Sequence, residues 1–424
     1  MKVTLPYGHE KVSFEIPDKN FIGMMDPEFT PAIDNLAAAI ENAIDNPIGT
    51  KPLSEIVKPD KKIAVIIDDD SRPTPQSVIL PILLPKLEAA GAKPEDIRIV
   101  AALGSHRYMT EDELRRRVGD AVYDRYEVIN SEFKKPEGLV YVGKTPEGVD
   151  IMATKAVMET DIHIGVGCLL PHPVMGWGGG GKILFPGIAG EDTVSYFHLK
   201  ASLYDEPLFG RDCTPVREMM ENWVDSIGLD FIINVVLNSK FEIADVVSGH
   251  YIKAQREGVQ RGKRVIGYQV KEKADIMITS SHPADQDFWQ SPKAMFAAEP
   301  AFMSDKGGTL VLVSPNYEGM GPHPGYAECM GSDNGDDMVN AAIRGEKFPM
   351  DSLSIAVGNG MAKLRKRRRL ITVGDGVSPE EMKTAGSEHG YIRDLQKIID
   401  TLIKENPDCR IGAVSNGAET LLYI

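Results

Sequence analysis

The chain has 424 residues, more than one ordinary domain core accommodates, so we expect two domains. Its formal net charge of −15 argues against affinity for nucleic acid, because nucleic-acid-binding domains are usually basic. No apolar run approaches the ~20 residues of a membrane span, and the N-terminus lacks the pattern of a signal peptide. We therefore expect a cytoplasmic protein that does not contact a membrane. The four cysteines form no CxxC pair, which argues against a disulfide framework and a zinc ribbon.

Strands, loops and helices alternate along the first part of the chain, and polar residues cluster where the strands end. A β-rich start and a helix at 32–46 precede a β-branched run at 62–67, which predicts a buried strand. A helix at 76–90, a strand at 97–102 and a helix that begins with a capping box at Thr110 follow. Further strands are expected at 161–167, 227–237 and 264–270.

The same alternation continues to the end of the chain, with strands expected at 274–280, 308–314, 369–373 and 411–414 and a helix at 292–299. It predicts an α/β fold of two domains with mainly parallel sheets, 1–270 and 271–424, and leaves open which domain holds the last strand or helix. Such sheets bind ligands outside the carboxyl ends of their strands, so we expect the active site in the cleft between the domains. We interpret the basic run at 363–369 as a solvated helix end before a strand.

The segment 171–198 is the stretch least typical of plain scaffold. Four consecutive glycines precede Lys182, and His172 and His198 flank them. Such glycines cost backbone entropy, so a chain keeps them where the backbone approaches a ligand or adopts a positive φ. A phosphate-loop pattern fails because Ile183 follows the lysine, and a dinucleotide fingerprint fails at Leu170. We interpret the segment as a cofactor site with titratable groups around it.

Three histidines lie at loops or glycine-rich junctions: His106, His172 and His198. His163, by contrast, alternates within an apolar strand and is interpreted as a core residue. Three histidines are able to bind zinc, but their wide spacing matches no compact metal motif. Two of them are equally suited to act as acid and base, because histidine titrates near neutral pH.

Two strand-end loops offer groups for an anionic ligand. Three adjacent carboxylates, Asp68 to Asp70, repel one another, and an Asp at a strand end is able to orient a catalytic histidine or bind a ribose hydroxyl. Arg72 offers a bidentate fork for a carboxylate or phosphate. In the second domain, Gln290 and Lys293 are placed to clamp an anionic substrate from the opposite wall.

Taken together, four motifs resemble those of the nickel-dependent lactate racemase family; they lie at 68–73, 104–110, 171–198 and 286–293. The resemblance implies an isomerase, a racemase or epimerase that inverts C2 of a lactate-like or related 2-hydroxy acid. It also implies a nickel-pincer cofactor built on a pyridinium mononucleotide, held covalently by Lys182, with His198 as the protein ligand of nickel. Cofactor-biosynthesis and nickel-insertion proteins are the implied partners, and a homodimer is left open.

The resemblance also implies roles for further residues. His106 and His172 match the acid and base that flank the substrate. The implied substrate contacts are Arg72, Trp289, Gln290 and Lys293. The implied cofactor contacts, besides Lys182, are Asp69, Ser71, Arg72, Gly178, Gly179, Gly180 and Gly181.

The chemistry of a 2-hydroxy acid agrees with these residue types. Its C2 hydrogen is a very weak acid, so removal as hydride is easier, with a base taking the hydroxyl proton and a planar 2-keto acid as the product. Return of the hydride to the opposite face inverts the centre and needs an acid/base group for each hydroxyl orientation. The cofactor carries the hydride step. Two alternatives stay open: a zinc-dependent hydrolase or lyase that uses the three histidines, and a non-enzymatic binding protein for an anionic metabolite.

Overall fold

The computed structural model describes residues 1–104 and 106–424; Ser105, in the motif at 104–110, lies outside the described residues. The strands are β1 (Lys2–Tyr7), β2 (Glu10–Glu15), β3 (Phe21–Met24), β4 (Ile63–Asp68), β5 (Ile97–Ala102), β6 (Glu127–Asn130), β7 (Leu139–Lys144), β8 (Asp150–Thr154), β9 (Ile162–Cys168), β10 (Pro171–His172), β11 (Gly176–Trp177), β12 (Phe231–Leu237), β13 (Ile243–Gly249), β14 (Gly267–Gln269), β15 (Ile276–Ser280), β16 (Thr309–Val313), β17 (Arg369–Val373), β18 (Glu388–Gly390), β19 (Ile411–Val414) and β20 (Leu421–Tyr423).

The α-helices fill the connections between these strands. They are α1 (Leu36–Asp45), α2 (Leu53–Ile56), α3 (Gln76–Ala89), α4 (Glu111–Val118), α5 (Asp120–Tyr123), α6 (Lys155–Met158), α7 (Glu191–Ser202), α8 (Pro215–Ile227), α9 (Lys253–Ile266), α10 (Lys293–Ala298), α11 (Tyr326–Gly331), α12 (Gly335–Ile343), α13 (Ser352–Arg367), α14 (Pro379–Ala385) and α15 (Leu395–Glu405). No helix in the described part of the chain is both long and apolar enough to cross a membrane.

The first sheet has six strands in the order β13-β12-β9-β4-β5-β6, all parallel to their neighbours except β13. Successive side chains of β4 enter different cores: Ile63 and Val65 pack in one cluster, and Ala64 and Ile66 in another. The sheet is therefore buried on both faces, which explains its β-branched composition. After β4 the chain adds β5 and β6 toward one edge of the sheet, and from β9 it adds β12 and β13 toward the other edge. The strand order therefore reverses between β4 and β9.

The second sheet is fully parallel, with the order β18-β17-β16-β15-β19-β3. Its strand order reverses between β15 and β19. Two doubly wound, mainly parallel sheets confirm the predicted α/β class.

The N-terminus departs from a simple division at residue 270. β3 is the edge strand of the second sheet, and the β1–β2 hairpin packs on that sheet through Val3 and Phe14. Apolar side chains on this short segment are buried only against the second core. At the other end, β20 pairs with β14 and is shared between the domains, because Leu421 packs in the first core and Leu422 in the second.

Two predicted strands begin later than expected, because helices extend into their first residues. The segment predicted as a strand from 227 begins only at Phe231, because α8 continues to Ile227 and ends at Gly228 with φ +97°. Of the strand predicted at 264–270, only β14 is extended, and the residues before it belong to α9. Glycines at 258 and 262 obscured that helix; they are needed where α9 packs closely on Leu169 and Trp177.

The basic run at 363–369 is not a solvated helix end, although the predicted helix-to-strand change is correct. Lys363 and Arg368 are buried, at 8% and 6% exposure. Their charges are used inside the protein: Lys363 pairs with Asp205 and Asp336, and the Arg368 guanidinium lies over Phe302. The acidic partners come from distant parts of the chain, so the local sequence does not reveal them.

Candidate active site

A cavity of about 250 Å³ opens between the domains at the carboxyl ends of β4, β5 and β9. It lies at the strand-order reversal of the first sheet, where doubly wound sheets bind ligands. The second domain closes it with the segment after β15 and with residues of α11 and α13. The predicted residues that line it are Asp69, Arg72, His106, His172, Gly178, Gly179, Lys182, His198, Trp289, Gln290 and Lys293.

The loop after β4 is fixed by the buried carboxylate of Asp68. Its oxygens accept hydrogen bonds from Thr74 Oγ1, from Gln76 Nε2 at 2.8 Å and from the guanidinium of Arg117. Arg117 also donates to the carbonyl of Arg72 at 2.9 Å. Asp68 is therefore a structural anchor, and it holds the residues that follow it in place at the cavity.

The neighbouring Asp69 orients His106. Asp69 Oδ2 lies 2.7 Å from His106 Nδ1, and Asp69 Oδ1 accepts from Ser71 Oγ at 2.6 Å and from Ser71 N at 3.3 Å. Burial acts to raise the pKa of Asp69, but His106, Arg72 and Ser71 together hold it well below its usual range. The ionised carboxylate accepts the Nδ1 proton of His106, which leaves Nε2 with a free lone pair.

His172 has the opposite arrangement. Its Nδ1 accepts hydrogen bonds from the backbone N–H groups of Val174 and Met175, at 3.1 and 3.2 Å. The neutral ring therefore carries its proton on Nε2. Burial, together with the positive charges of Lys182 and Arg72, holds the pKa of His172 well below its ordinary value. The cavity thus has a proton acceptor at His106 and a neutral N–H donor at His172.

Lys182 is an amine without a charged partner. It follows the glycines in a short 3₁₀ helix and forms no ion pair with any residue that the structure describes. Burial lowers the pKa of Lys182 to about 7, and the charges of Arg72 and Arg217 act in the same direction. A substantial fraction of this amine is neutral, and so nucleophilic, near neutral pH.

His198 lies on α7 with its ring anchored by the helix itself. Nδ1 is 2.8 Å from the carbonyl oxygen of Val194, one turn earlier, to which it donates. Burial, with the charge of Lys182, lowers the pKa of His198 to about 4, although the bond to Val194 acts to raise it. A neutral histidine whose other nitrogen donates to a carbonyl is the arrangement typical of a metal ligand, with Nε2 free.

The four glycines divide into two pairs, of which only the first lines the cavity. Gly178 and Gly179 line the cavity, and Gly179 adopts φ +68°. Gly180 and Gly181 do not line it: a Cβ at Gly180 would lie 2.7 Å from the carbonyl of Tyr251, and one at Gly181 would lie 3.0 Å from Met220 Sδ. The second pair allows close packing behind the cavity wall, and the prediction that all four glycines contact a cofactor stays a prediction.

The second domain supplies the opposite wall. Trp289 packs on His323 with the rings tilted by 35° and their centroids 4.0 Å apart, and the backbone N–H of Gln290 donates to Asp287 at 2.8 Å. Lys293 Nζ lies 3.2 Å from Glu419 Oε1. Trp289, Gln290 and Lys293, three of the four residues implied as substrate contacts, thus reach the same cavity as the histidines.

Helix α13 contacts the end of α7, four residues after His198, through three hydrogen bonds that we call the clasp. Side chains spaced four apart on α13 donate to backbone carbonyls at the end of α7 and in the residues just after it. The three pairs are Asn359 with Ser202 at 3.1 Å, Lys363 with Leu203 at 3.0 Å and Arg367 with Asp205 at 3.1 Å. This clasp links the second domain to the helix that carries His198.

Sequence reasoning missed two residues that support the site. Asn234 Oδ1 accepts from the backbone N–H of Gly180 at 2.9 Å, and Arg217, fully buried, donates from Nε to the carbonyl of Met175 at 3.0 Å. Each fixes part of the 171–182 segment. Asn234 was detectable as a lone polar residue within an apolar strand, whereas Arg217 lies in an ordinary amphipathic helix and gives no such signal.

The three-histidine zinc site has no support. Within the described ranges, 1–104 and 106–424, no group of three or more His, Cys, Asp or Glu side chains is arranged to hold a metal ion. His163 is a core residue as predicted, with its two ring nitrogens 2.8 and 3.2 Å from the backbone carbonyl oxygens of Gly228 and Val157. All four cysteines are free.

Comparisons of the sequence and of the fold with known proteins match lactate racemases. Residues 7–207 match the model of the lactate racemase N-terminal domain. The lactate racemase of Thermoanaerobacterium thermosaccharolyticum is 27% identical over 99% of both chains, and that of Lactiplantibacillus plantarum is 27% identical over 89% of both. The structure of the Thermoanaerobacterium lactate racemase apoprotein matches all of both chains, with a TM-score of 0.84 and 26% identity.

A more distant structure shares the fold alone. It is a Thermotoga maritima protein with a TM-score of 0.69 and 18% identity, covering 93% of this chain and 99% of that one. The comparisons confirm the resemblance that the motifs indicated.

Proposed function

We propose that this chain, an isomerase that belongs to the lactate racemase family, inverts C2 of a 2-hydroxy acid with the aid of a nickel-pincer nucleotide. The observation that carries the proposal is the pairing of His106 and His172 in one cavity, one with a free lone pair and the other with an N–H group. Inversion of a carbon that bears a hydroxyl needs an acceptor for the proton of one enantiomer and a donor to the oxygen of the other.

The residues present fit the cofactor. Lys182, with a pKa lowered to about 7 and no ionic partner among the described residues, is suited to a covalent amide-type bond. His198 presents Nε2 as a single protein ligand for nickel, held by its bond to Val194. Gly178 and Gly179 line the cavity with bare backbone, which a flat ring is able to approach closely.

When bound, the cofactor supplies an electrophilic acceptor for the C2 hydrogen as hydride. The side chains do the rest. His106 Nε2 takes the hydroxyl proton while Asp69 stabilises the positive ring that results. The Arg72 guanidinium, free of ion pairs among the described residues, binds the substrate carboxylate and orients C2.

Once the planar 2-keto acid has turned its other face, the Nε2–H group of His172 donates a hydrogen bond to the substrate oxygen, and the proton that His106 took returns to that oxygen as the C2 hydrogen returns. Trp289 and the apolar side chains around it exclude water and protect the keto acid while it turns. The clasp between α13 and α7 holds the two domains together during this step. We further propose that the enzyme works in the cytoplasm and receives its cofactor from cofactor-biosynthesis and nickel-insertion proteins.

The proposal is tested by expressing the chain together with cofactor-assembly enzymes and measuring D-lactate formed from L-lactate by chiral chromatography, followed by other 2-hydroxy acids. We expect racemisation, stoichiometric nickel and a mass increment that maps to Lys182. Lys182→Ala removes the increment and the activity, and Lys404→Ala, on the surface, retains both. A loaded protein that binds 2-hydroxy acids without inverting any of them would instead support the metabolite-binding alternative.

A further inference from the structure

The positive charges that line the cavity are mostly neutralised already. Of the five Lys and Arg side chains that reach it, three are paired with carboxylates: Lys293 with Glu419, Lys363 with Asp205 and Arg367 with Glu299. The other two, Lys182 and Arg72, have no ion pair among the described residues. Because the proposed function gives Lys182 to the cofactor, Arg72 is the uncompensated cation that remains for a substrate.

The pair between Lys293 and Glu419 differs from the other two in where it lies. Lys293 follows β15 and Glu419 follows β19, and the strand order of the second sheet reverses between these two strands. Such a reversal is where open α/β sheets bind ligands. In this protein, the segment after β15 supplies the ammonium group of Lys293 and the segment after β19 supplies the carboxylate of Glu419, and the two groups are 3.2 Å apart.

Glu419 approaches Lys293 from the side away from the substrate. Lys293 lines the main cavity, whereas Glu419 lines a separate cavity of about 140 Å³ behind it, next to Asp26, Asn238 and Ser415. Both side chains are largely enclosed, at 15% and 13% exposure, so solvent screens the pair little. The second oxygen of the carboxylate, Oε2, is buried and accepts no hydrogen bond in the described structure.

We propose that Glu419 is a specificity-determining residue that restricts the enzyme to substrates with one carboxylate. It does not touch the substrate and acts through Lys293, whose ammonium it orients and whose charge it cancels. The single carboxylate of a 2-hydroxy monocarboxylate is neutralised by Arg72 alone. Lys293 then offers this substrate hydrogen bonds, because Glu419 already balances its charge. A second carboxylate on the substrate meets no uncompensated cation, so its desolvation is not offset.

This inference rests on the proposed function, and its test separates the two. Binding of L-lactate and of L-malate to the cofactor-loaded enzyme is measured by quenching of tryptophan fluorescence, since Trp289 lines the cavity. The same samples are assayed for racemisation of both acids. If wild-type protein inverts no 2-hydroxy acid, the proposed function fails; the binding ratio still tests Glu419.

Glu419→Gln keeps the shape and the hydrogen bond to Lys293 but removes the negative charge. We expect the ratio of the malate Kd to the lactate Kd to fall by about tenfold, or ~1.4 kcal/mol, because Lys293 becomes an uncompensated cation. Glu419→Asp restores the charge and should restore the wild-type ratio. Glu388→Gln, which breaks a surface pair with Arg369, is the matched control and should leave the ratio unchanged.

Equal ratios in wild type and Glu419→Gln, with both proteins folded by thermal denaturation, would overturn the inference. A parallel loss of affinity for both acids would also overturn it, because that result assigns Glu419 a purely structural role. A merely structural carboxylate changes both dissociation constants together, and a charge-selecting one changes their ratio.

Discussion

Replacing Asp69 with Asn should abolish most of the turnover of the cofactor-loaded enzyme. In the structure, the backbone N–H and the hydroxyl of Ser71 both donate to Asp69 Oδ1. The amide oxygen of an Asn takes this position, so its NH₂ group faces His106 Nδ1. His106 is then forced to carry its proton on Nε2, and the base is lost.

The size of the effect follows from the geometry. Asp69 Oδ2 and His106 Nδ1 are 2.7 Å apart, and both side chains are less than a quarter exposed. At an effective dielectric constant of about 20, the attraction between the carboxylate and a protonated ring has an upper bound of about 6 kcal/mol. Loss of general-base catalysis alone is worth about 10²–10⁴ in rate, or roughly 3–5 kcal/mol, which lies within that bound. We therefore expect kcat to fall by about 10²–10⁴.

Chiral chromatography measures kcat and KM, and intact mass shows whether Lys182 still carries its adduct. Asp70→Asn is the matched control: Asp70 is the next carboxylate along the chain, its side chain is 43% exposed, and its nearest ionic partner is Arg117 at 3.9 Å. It should retain wild-type turnover. An Asp69→Asn enzyme that is loaded, folded and more than half as active as wild type would refute the role assigned to His106.

Three further predictions concern other parts of the site. Burial lowers the pKa of Lys182 to about 7, so in cofactor-free protein its amine should react faster with trinitrobenzenesulfonate as the pH rises through 7. Peptide mapping measures the labelling rate of Lys182 and compares it with that of the exposed Lys404. Gly179→Ala places a Cβ 2.6 Å from an amide oxygen at φ +68° and should lower stability by about 2–4 kcal/mol, whereas Gly345→Ala, at φ +86° in open space, should cost about 1–2 kcal/mol in thermal denaturation. Lys363→Met removes a clasp between the domains and should raise KM and the radius of gyration from small-angle scattering; unchanged values would contradict a role in closure.

The sequence allowed the ligand-binding edge of the first sheet to be predicted, because its chemistry is local. Asp69 and His106 directly follow buried β-branched strands, and Lys182 directly follows the glycines. Parallel strands end at one edge, so these side chains had to meet. The close packing at Gly180 and Gly181 was not predictable, because a glycine required for packing looks the same in a sequence as one required for a ligand.

What the sequence did not reveal depends on pairing between distant segments. Lys293 and Glu419 are 126 positions apart, and Lys363 finds its partner Asp205 in the other domain. Nothing in the local pattern distinguishes such buried charges from solvated ones. The edge strand β3 is a similar case, since its place in the second sheet is decided by tertiary packing and not by its own residues.

The most direct test of the proposed reaction is to run it in D₂O. L-lactate is incubated with the cofactor-loaded enzyme, and the D-lactate formed is separated by chiral chromatography and analysed by mass spectrometry. We predict D-lactate that retains protium at C2, because the hydrogen leaves and returns as hydride in a cavity that excludes water. Deuterium at C2 of the product would show that the hydrogen leaves as a proton and would contradict the account.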